Sequence, residues 1–221
     1  MKFNTINLDI SNKCSNKCCG CIRQEKGFKN NGKDMTEREM NMICDYFNNI
    51  TFCGQESDPT NHPNFLNLLK ICTSKNKTID IHVAASHQSN YWWNKAFLLS
   101  KNKDVTWVFG IDGLPCDSNK YRINQDGEKL FNKMLMCSKF GIKTIWQYIV
   151  FNYNENDIDY CRKIAQQNNI HFSLVKSCRF DYETVFGIAR YPMMKQLKPS
   201  EQWVSHVVDI GLGLSGNTIT S

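Results

Sequence analysis

Ile6-Asn7-Leu8-Asp9-Ile10 leads, three residues later, into Cys14-Ser15-Asn16-Lys17-Cys18-Cys19-Gly20-Cys21. The first stretch is apolar at alternate positions and reads as a strand. The second, set among Ser, Asn, Lys and Gly, has the composition of a loop. A strand therefore delivers several thiols into one volume. The chain has 221 residues and 11 cysteines, and Cys44, Cys53, Cys72, Cys116, Cys137, Cys161 and Cys178 are spread singly. The odd count argues against a disulfide framework. Met1-Lys2-Phe3-Asn4 shows no charged-then-apolar leader pattern, so the expected compartment is the cytoplasm. Cys44, Cys72, Cys137 and Cys161 fall on apolar faces of predicted helices, where a thiol serves as a small hydrophobe. The clustered thiols are soft ligands suited to zinc or an iron–sulfur cluster. A structural zinc site commonly uses two separated ligand pairs. No second Cys-x-x-Cys accompanies this loop, and His62, His82 and His87 are isolated.

Composition narrows the class further. Hydrophobic residues make up 41%, aromatic residues 12% and charged residues 22%, which excludes a disordered or collagen-like chain. A chain of this length buries about 70% of its unfolded surface, enough for a large core. No apolar run approaches the ~20 residues of a membrane span. The net charge is +6, but Lys75-Asn76-Lys77 and Lys101-Asn102-Lys103 are too short for a basic stripe, which argues against a nucleic-acid partner. Asparagine is abundant and evenly spread, as in Asn30-Asn31, Asn48-Asn49 and Asn168-Asn169, and reads as compositional bias.

Outward from the cysteine loop, strand and helix signals alternate. Thr36-Glu37-Arg38-Glu39 is a capping box, followed by Met40, Ile43, Cys44 and Phe47 at helical spacing. Ile50-Thr51-Phe52-Cys53 reads as a buried strand. Phe65, Leu68, Leu69 and Cys72 share a helix face. Residues 78–84 read as a strand, 91–100 as a helix, 105–111 as a strand and 126–140 as a helix stopped by Gly141. Residues 144–151 read as a strand, Asn154 as the cap of a helix through Gln167, and 170–175 as a strand. Six strands in βαβ order predict parallel pairing with right-handed crossovers. Six units are too few for a closed eight-fold barrel, so an open α/β partial barrel, (β/α)6, is expected. Its site would lie at the C-terminal strand ends, where the cysteine loop emerges. Residues 1–180 would form this core, and 181–221 a short C-terminal extension or cap with a Gly/Ser-rich tail.

Cys14, Cys18 and Cys21 give the spacing C-x3-C-x2-C. This resembles the signature of the radical S-adenosylmethionine (SAM) superfamily. The resemblance implies a partial TIM barrel and a [4Fe-4S] cluster held by Cys14, Cys18 and Cys21. It implies an open iron that chelates SAM, reductive cleavage to a 5′-deoxyadenosyl radical, and hydrogen abstraction from a substrate. An electron donor of flavodoxin or ferredoxin type is implied with it. Gly20 stands where the family commonly carries an aromatic residue, and Cys19 adds a thiol. Gly54-Gln55-Glu56-Ser57-Asp58-Pro59 is similar to the family's Gly-Gly-Glu-Pro segment in its Cys-Gly-Asn-x-Gly-Asp-Pro form. Backbone carbonyls there receive the SAM ammonium group; Glu56 and Ser57 occupy positions where glycines are usual. Gly110-Ile111-Asp112-Gly113 resembles the Ser-x-Asp-Gly segment of members that modify peptides and proteins. Arg122 follows at the spacing of an arginine that pairs with the SAM carboxylate. Asn152, or Gln147 before it, would reach the SAM ribose or the substrate. Lys176-Ser177-Cys178-Arg179-Phe180 is similar to the segment that leads into an auxiliary-cluster (SPASM) domain, but no cysteine follows Cys178. The resemblance covers about residues 3–180 and favours a peptide or protein substrate with no membrane partner. A nucleoside-modifying enzyme of deazapurine type, and a non-catalytic iron–sulfur or zinc-binding protein, are the alternatives.

Overall fold

The structure is a computed structural model that describes residues 4–24, 28–29, 31–54, 56–177, 194 and 196–200. The strands are β1 (Thr5–Leu8), β2 (Asn49–Cys53), β3 (Thr78–Val83), β4 (Val105–Gly110), β5 (Lys143–Ile149) and β6 (His171–Val175). Between them run α1 (Glu37–Tyr46), α2 (Phe65–Ser74), α3 (Asn90–Ser100), α4 (Gly127–Lys139) and α5 (Ile158–Gln167). The strands form one sheet in sequence order, β1-β2-β3-β4-β5-β6, with every neighbouring pair parallel. Among the described residues β1 and β6 do not pair, so the barrel is open, as the strand count predicted. A sixth helix, and the expected extension and tail, fall outside the described residues apart from Met194 and residues 196–200.

The alternation of the strands decides which face is core. Ile50, Phe52, Ile79, Ile81, Trp107, Phe109, Trp146 and Tyr148 are at most 1% exposed. They pack with Met40, Phe65, Leu68, Trp93, Phe97, Leu130 and Cys161 from the helices in one cluster. Trp107 anchors it, 5.5 Å from the rings of both Trp93 and Phe97 and 6.1 Å from Phe65. Such pairs add about 0.5–1.5 kcal/mol each beyond area burial. The Trp107 indole N–H donates to Ser100 Oγ at 3.0 Å, whereas the buried Trp93 indole N–H has no partner among the described residues. Cys44, Cys72, Cys137 and Cys161 are buried on helices, in the core-filling role expected of them. The alternate strand residues, Thr51, Cys53, Asp80, His82, Thr106, Ile145 and Gln147, are half-buried on the inner face.

Local signals set the helix ends. Thr36 Oγ1 accepts the Glu39 N–H at 3.2 Å, while the Glu39 carboxylate accepts the Thr36 N–H at 2.8 Å. The Thr36 N–H and then Lys33 hold the Glu39 carboxyl down to about 2. Thr36→Ala is expected to destabilise the fold by about 1 kcal/mol, seen as a lower urea midpoint at unchanged slope. The asparagine abundance is more than bias. Asn76, Asn102 and Asn169 follow α2, α3 and α5 with φ of 52°, 60° and 54°. Helices end in this left-handed conformation, and Asn tolerates it better than any residue but Gly. Gly141 does the same after α4, at φ 73°.

The helix expected from Asn154 begins instead at Ile158. Asn154 closes the turn after β5: its Oδ1 accepts the Phe151 N–H at 2.8 Å and its Nδ2 donates to the Ile149 carbonyl at 3.0 Å. That turn also ends β5 at Ile149, short of Phe151. β1 likewise stops at Leu8, because Asp9 leaves the ladder to bind the loop after β2. Among the described residues no helix is long and apolar enough to cross a membrane.

Candidate functional site

The cysteine loop leaves β1 at the C-terminal edge of the sheet and is tied to three other strand ends. The Lys17 N–H donates to the Ile123 carbonyl at 2.9 Å and the Cys19 N–H to the Tyr121 carbonyl at 3.2 Å, both beyond β4. Asn16, 4% exposed, donates from Nδ2 to the Ala84 carbonyl after β3 at 3.0 Å. Arg23, just past the last cysteine of the loop, donates at 2.7 Å to the carbonyls of both Asn12 and Glu56. The Cys21 N–H donates to the Cys18 carbonyl at 3.1 Å, which turns the chain between them. Cys14, Cys18 and Cys21 are all half-buried. Burial, and next the charge of Asp58, push the Cys14 thiol up to about 12, and Cys18 adds to the shift. Thiolates there need a cation to offset them. Among the described residues no three Cys, His, Asp or Glu side chains are drawn together closely enough to hold a metal ion. The structure thus gathers the three cysteines in one loop without closing them on a point. A donor set of three thiols suits an iron–sulfur cluster.

The segment after β2 is folded back on itself. A Cβ on Gly54 would lie 1.8 Å from the Ser57 carbonyl oxygen, so only glycine fits. Asp9 holds the other side, accepting the Glu56 N–H at 2.9 Å and the Ser57 hydroxyl. Ser57 takes no positive φ, so its side chain is accommodated there without backbone strain. Gln55 lies outside the described residues. Asp58 is a strut: one carboxylate oxygen accepts the Thr60 N–H at 2.9 Å, and the other accepts the N–H groups of Ala84 and Ala85 at 2.7 and 2.8 Å. It contributes by fixing β3 to this loop. Pro59 opens the short 3-10 turn Pro59–Asn61.

Asp112 and Arg122 are brought together, but with each other. Asp112 is 0% exposed, and its Oδ2 lies 2.7 Å from Arg122 Nε. That contact is an ion pair rather than an aligned hydrogen bond. Asp112 Oδ1 accepts the Ile149 N–H at 2.9 Å. Burial pushes the Asp112 carboxyl up, against the pull of Arg122 and of the Ile149 N–H. Burial likewise works against the charge on Arg122, but Asp112 and then Cys18 outweigh it and keep the guanidinium protonated. We read the pair as ionised, since the cation is held, Asp112 Oδ1 accepts the Ile149 N–H and Oδ2 lies 2.7 Å from the guanidinium. A Cβ on Gly110 would lie 2.7 Å from Arg122 Nη2, so the guanidinium occupies the space that a side chain there would need. Gln125 completes the layer, donating from Nε2 to the carbonyls of Ala84 at 2.6 Å and Gly110 at 2.9 Å.

Asn152 is exposed and turned away, donating from Nδ2 to the Gln196 carbonyl at 2.6 Å. Gln147 stays on the inner face, paired in register with Gly110 and Ser173. Sequence reasoning missed Asp9, Asn16, Arg23 and Gln125. It also missed the row of Cys53 beside His82 on the inner face. Burial, then Asp9, raises the Cys53 thiol, and burial lowers His82 against the pull of Asp80, so both face the barrel interior neutral.

The fold is similar to that of Streptococcus suis SuiB bound to S-adenosylmethionine, with a TM-score of 0.68 and 14% identity over 91% of this chain and 47% of that one. It is similar to anSMEcpe with bound AdoMet, with a TM-score of 0.59 and 16% identity over 78% of this chain and 50% of that one. TYW1 with a lysine-pyruvate adduct bound gives a TM-score of 0.54 and 12% identity over 79% of this chain and 65% of that one. The chain spans about half the length of the first two. At such identities the likeness establishes the open (β/α) fold. No protein-family model and no curated protein matches the chain.

Proposed function

We propose that this chain is a radical SAM enzyme that binds a [4Fe-4S] cluster through Cys14, Cys18 and Cys21 and cleaves SAM reductively to act on a peptide or protein. The observation that carries the reading is the meeting of a three-thiol loop with the residue 54–59 loop and Arg122 at one edge of an open six-strand barrel. The similar structures are radical SAM enzymes, and those of SuiB and anSMEcpe hold SAM, which supports the cofactor. SuiB bound to the precursor peptide SuiA and anSMEcpe bound to the Cp18Cys peptide support the substrate class. In this reading residues 1–180 form the core and 181–221 a cap, and a flavodoxin- or ferredoxin-type protein donates the electron.

The cluster, when bound, supplies an open iron position for SAM and the electron that breaks its C5′–S bond. The chain supplies placement. Asp9 holds the Glu56 N–H and Arg23 the Glu56 carbonyl, which fixes the loop after β2 whose other carbonyls would receive an ammonium group. Asp58 fixes that loop to β3, and the inner-face residues Thr51, Cys53, Asp80, His82 and Gln147 line the space below. Anaerobically reconstituted protein with dithionite and SAM is expected to release 5′-deoxyadenosine; iron-loaded protein that releases none would overturn the reading. Gly54→Ala is expected to weaken SAM binding by about tenfold or more, because its methyl group displaces the Ser57 carbonyl. Equilibrium dialysis with labelled SAM measures it.

A further inference from the structure

The family resemblance gives Arg122 the SAM carboxylate as partner, but its surroundings give it another task. Lys17 to Cys19 and Tyr121 to Ile123 run antiparallel, joined by Lys17 N–H to Ile123 carbonyl and Cys19 N–H to Tyr121 carbonyl bonds of 2.9 and 3.2 Å. Those two bonds bracket Cys18 and Arg122, so the two residues lie side by side where the loops meet. The guanidinium is also not at liberty. Its Nε is 2.7 Å and its Nη2 3.5 Å from the two Asp112 oxygens, and its side chain is 11% exposed. It lies where any side chain at position 110 would have to be. A ligand carboxylate that drew it away would leave Asp112 charged and alone in the core, at high cost.

We infer that Arg122 is a positioning residue for the cysteine loop: a cation fixed by Asp112, housed by Gly110 and set against Cys18, where it offsets the negative charge of the ligand thiolates. The inference rests on the cluster reading above. Gly110 and Arg122 then form a matched pair, in which the missing side chain makes room for the charge. A fixed cation beside the ligands favours the more negative, reduced state. It therefore raises the reduction potential of whatever redox centre the thiolates hold.

The parental protein, Arg122→Lys, Arg122→Gln and Gly110→Ser are reconstituted anaerobically. Iron content, the midpoint potential of the reduced-state EPR signal and the Kd for SAM are then measured. Arg122→Gln is expected to shift the midpoint to more negative potential while the Kd for SAM changes less than about threefold. Arg122→Lys, which keeps the charge, is expected to restore most of the shift. Gly110→Ser, which pushes the guanidinium aside without removing it, is expected to move the potential in the same direction as Arg122→Gln. If Arg122→Gln fails to fold, the Lys and Gly110 variants still carry the comparison. A Kd raised about tenfold or more with the potential unmoved would return Arg122 to the SAM carboxylate and overturn the inference alone. A parental protein that takes up no iron overturns the cluster reading, and this inference with it.

Discussion

Serine in place of Cys14, Cys18 or Cys21 is expected to leave the barrel folded while abolishing iron uptake and 5′-deoxyadenosine formation. The exchange removes one soft donor and little volume, and a serine hydroxyl is a poor ligand for iron. None of the three side chains belongs to the main core, which is built from the aromatic and aliphatic residues of the sheet and helices. Far-UV circular dichroism should therefore be unchanged, while iron analysis and product chromatography fall to background. Cys19 is the internal control. Like Cys18 it packs with the group of Tyr121, Phe151 and Met194, but its Sγ lies 3.9 Å from the Lys120 carbonyl, and it falls outside the C-x3-C-x2-C spacing. Burial raises its thiol. Cys19→Ser is expected to keep its iron. Loss of iron from Cys19→Ser with retention in Cys18→Ser would shift the ligand set by one residue and overturn the spacing on which the reading depends.

The strands and helices were legible because each carries its own period: alternation in 78–83, an i, i+3, i+4 face in 65–72, and a cap at Thr36. Asn154 misled because the same amide caps helices and closes turns, and nothing local distinguishes the two uses. The asparagines after the helices were underread, since composition alone does not say which residues take a positive φ. In the site, the cysteine spacing and the residue 54–59 segment were visible as motifs. The groups that hold them were not. Asn16 and Gln125 meet on the Ala84 carbonyl, and Arg23 joins Asn12 to Glu56, across separations of 11 to 68 residues. A single polar residue whose only partner is a distant backbone carbonyl leaves no pattern in sequence. Asp112 and Arg122 were each singled out, yet their pairing with each other was not, because burial and not spacing decides it.

That pairing makes Asp112→Ala the most destabilising single change expected outside the aromatic core. The substitution leaves the Arg122 cation in a site that is almost closed to water, and it removes the acceptor for the Ile149 N–H at the end of β5. Breaking one side of a buried ion pair costs about 3–5 kcal/mol. For a chain of this size that lowers the melting temperature by roughly 6–20 °C. Asp112→Asn should cost less, since the amide oxygen still accepts from Ile149 while only the charge is lost. The double variant Asp112→Asn with Arg122→Gln should be more stable than the sum of the single changes predicts, because it removes both charges together. Thermal melts followed by circular dichroism decide the matter. Additive losses, or no loss for Asp112→Ala, would mean that the guanidinium finds another anion, and the cysteine loop beside it is where that anion would have to be.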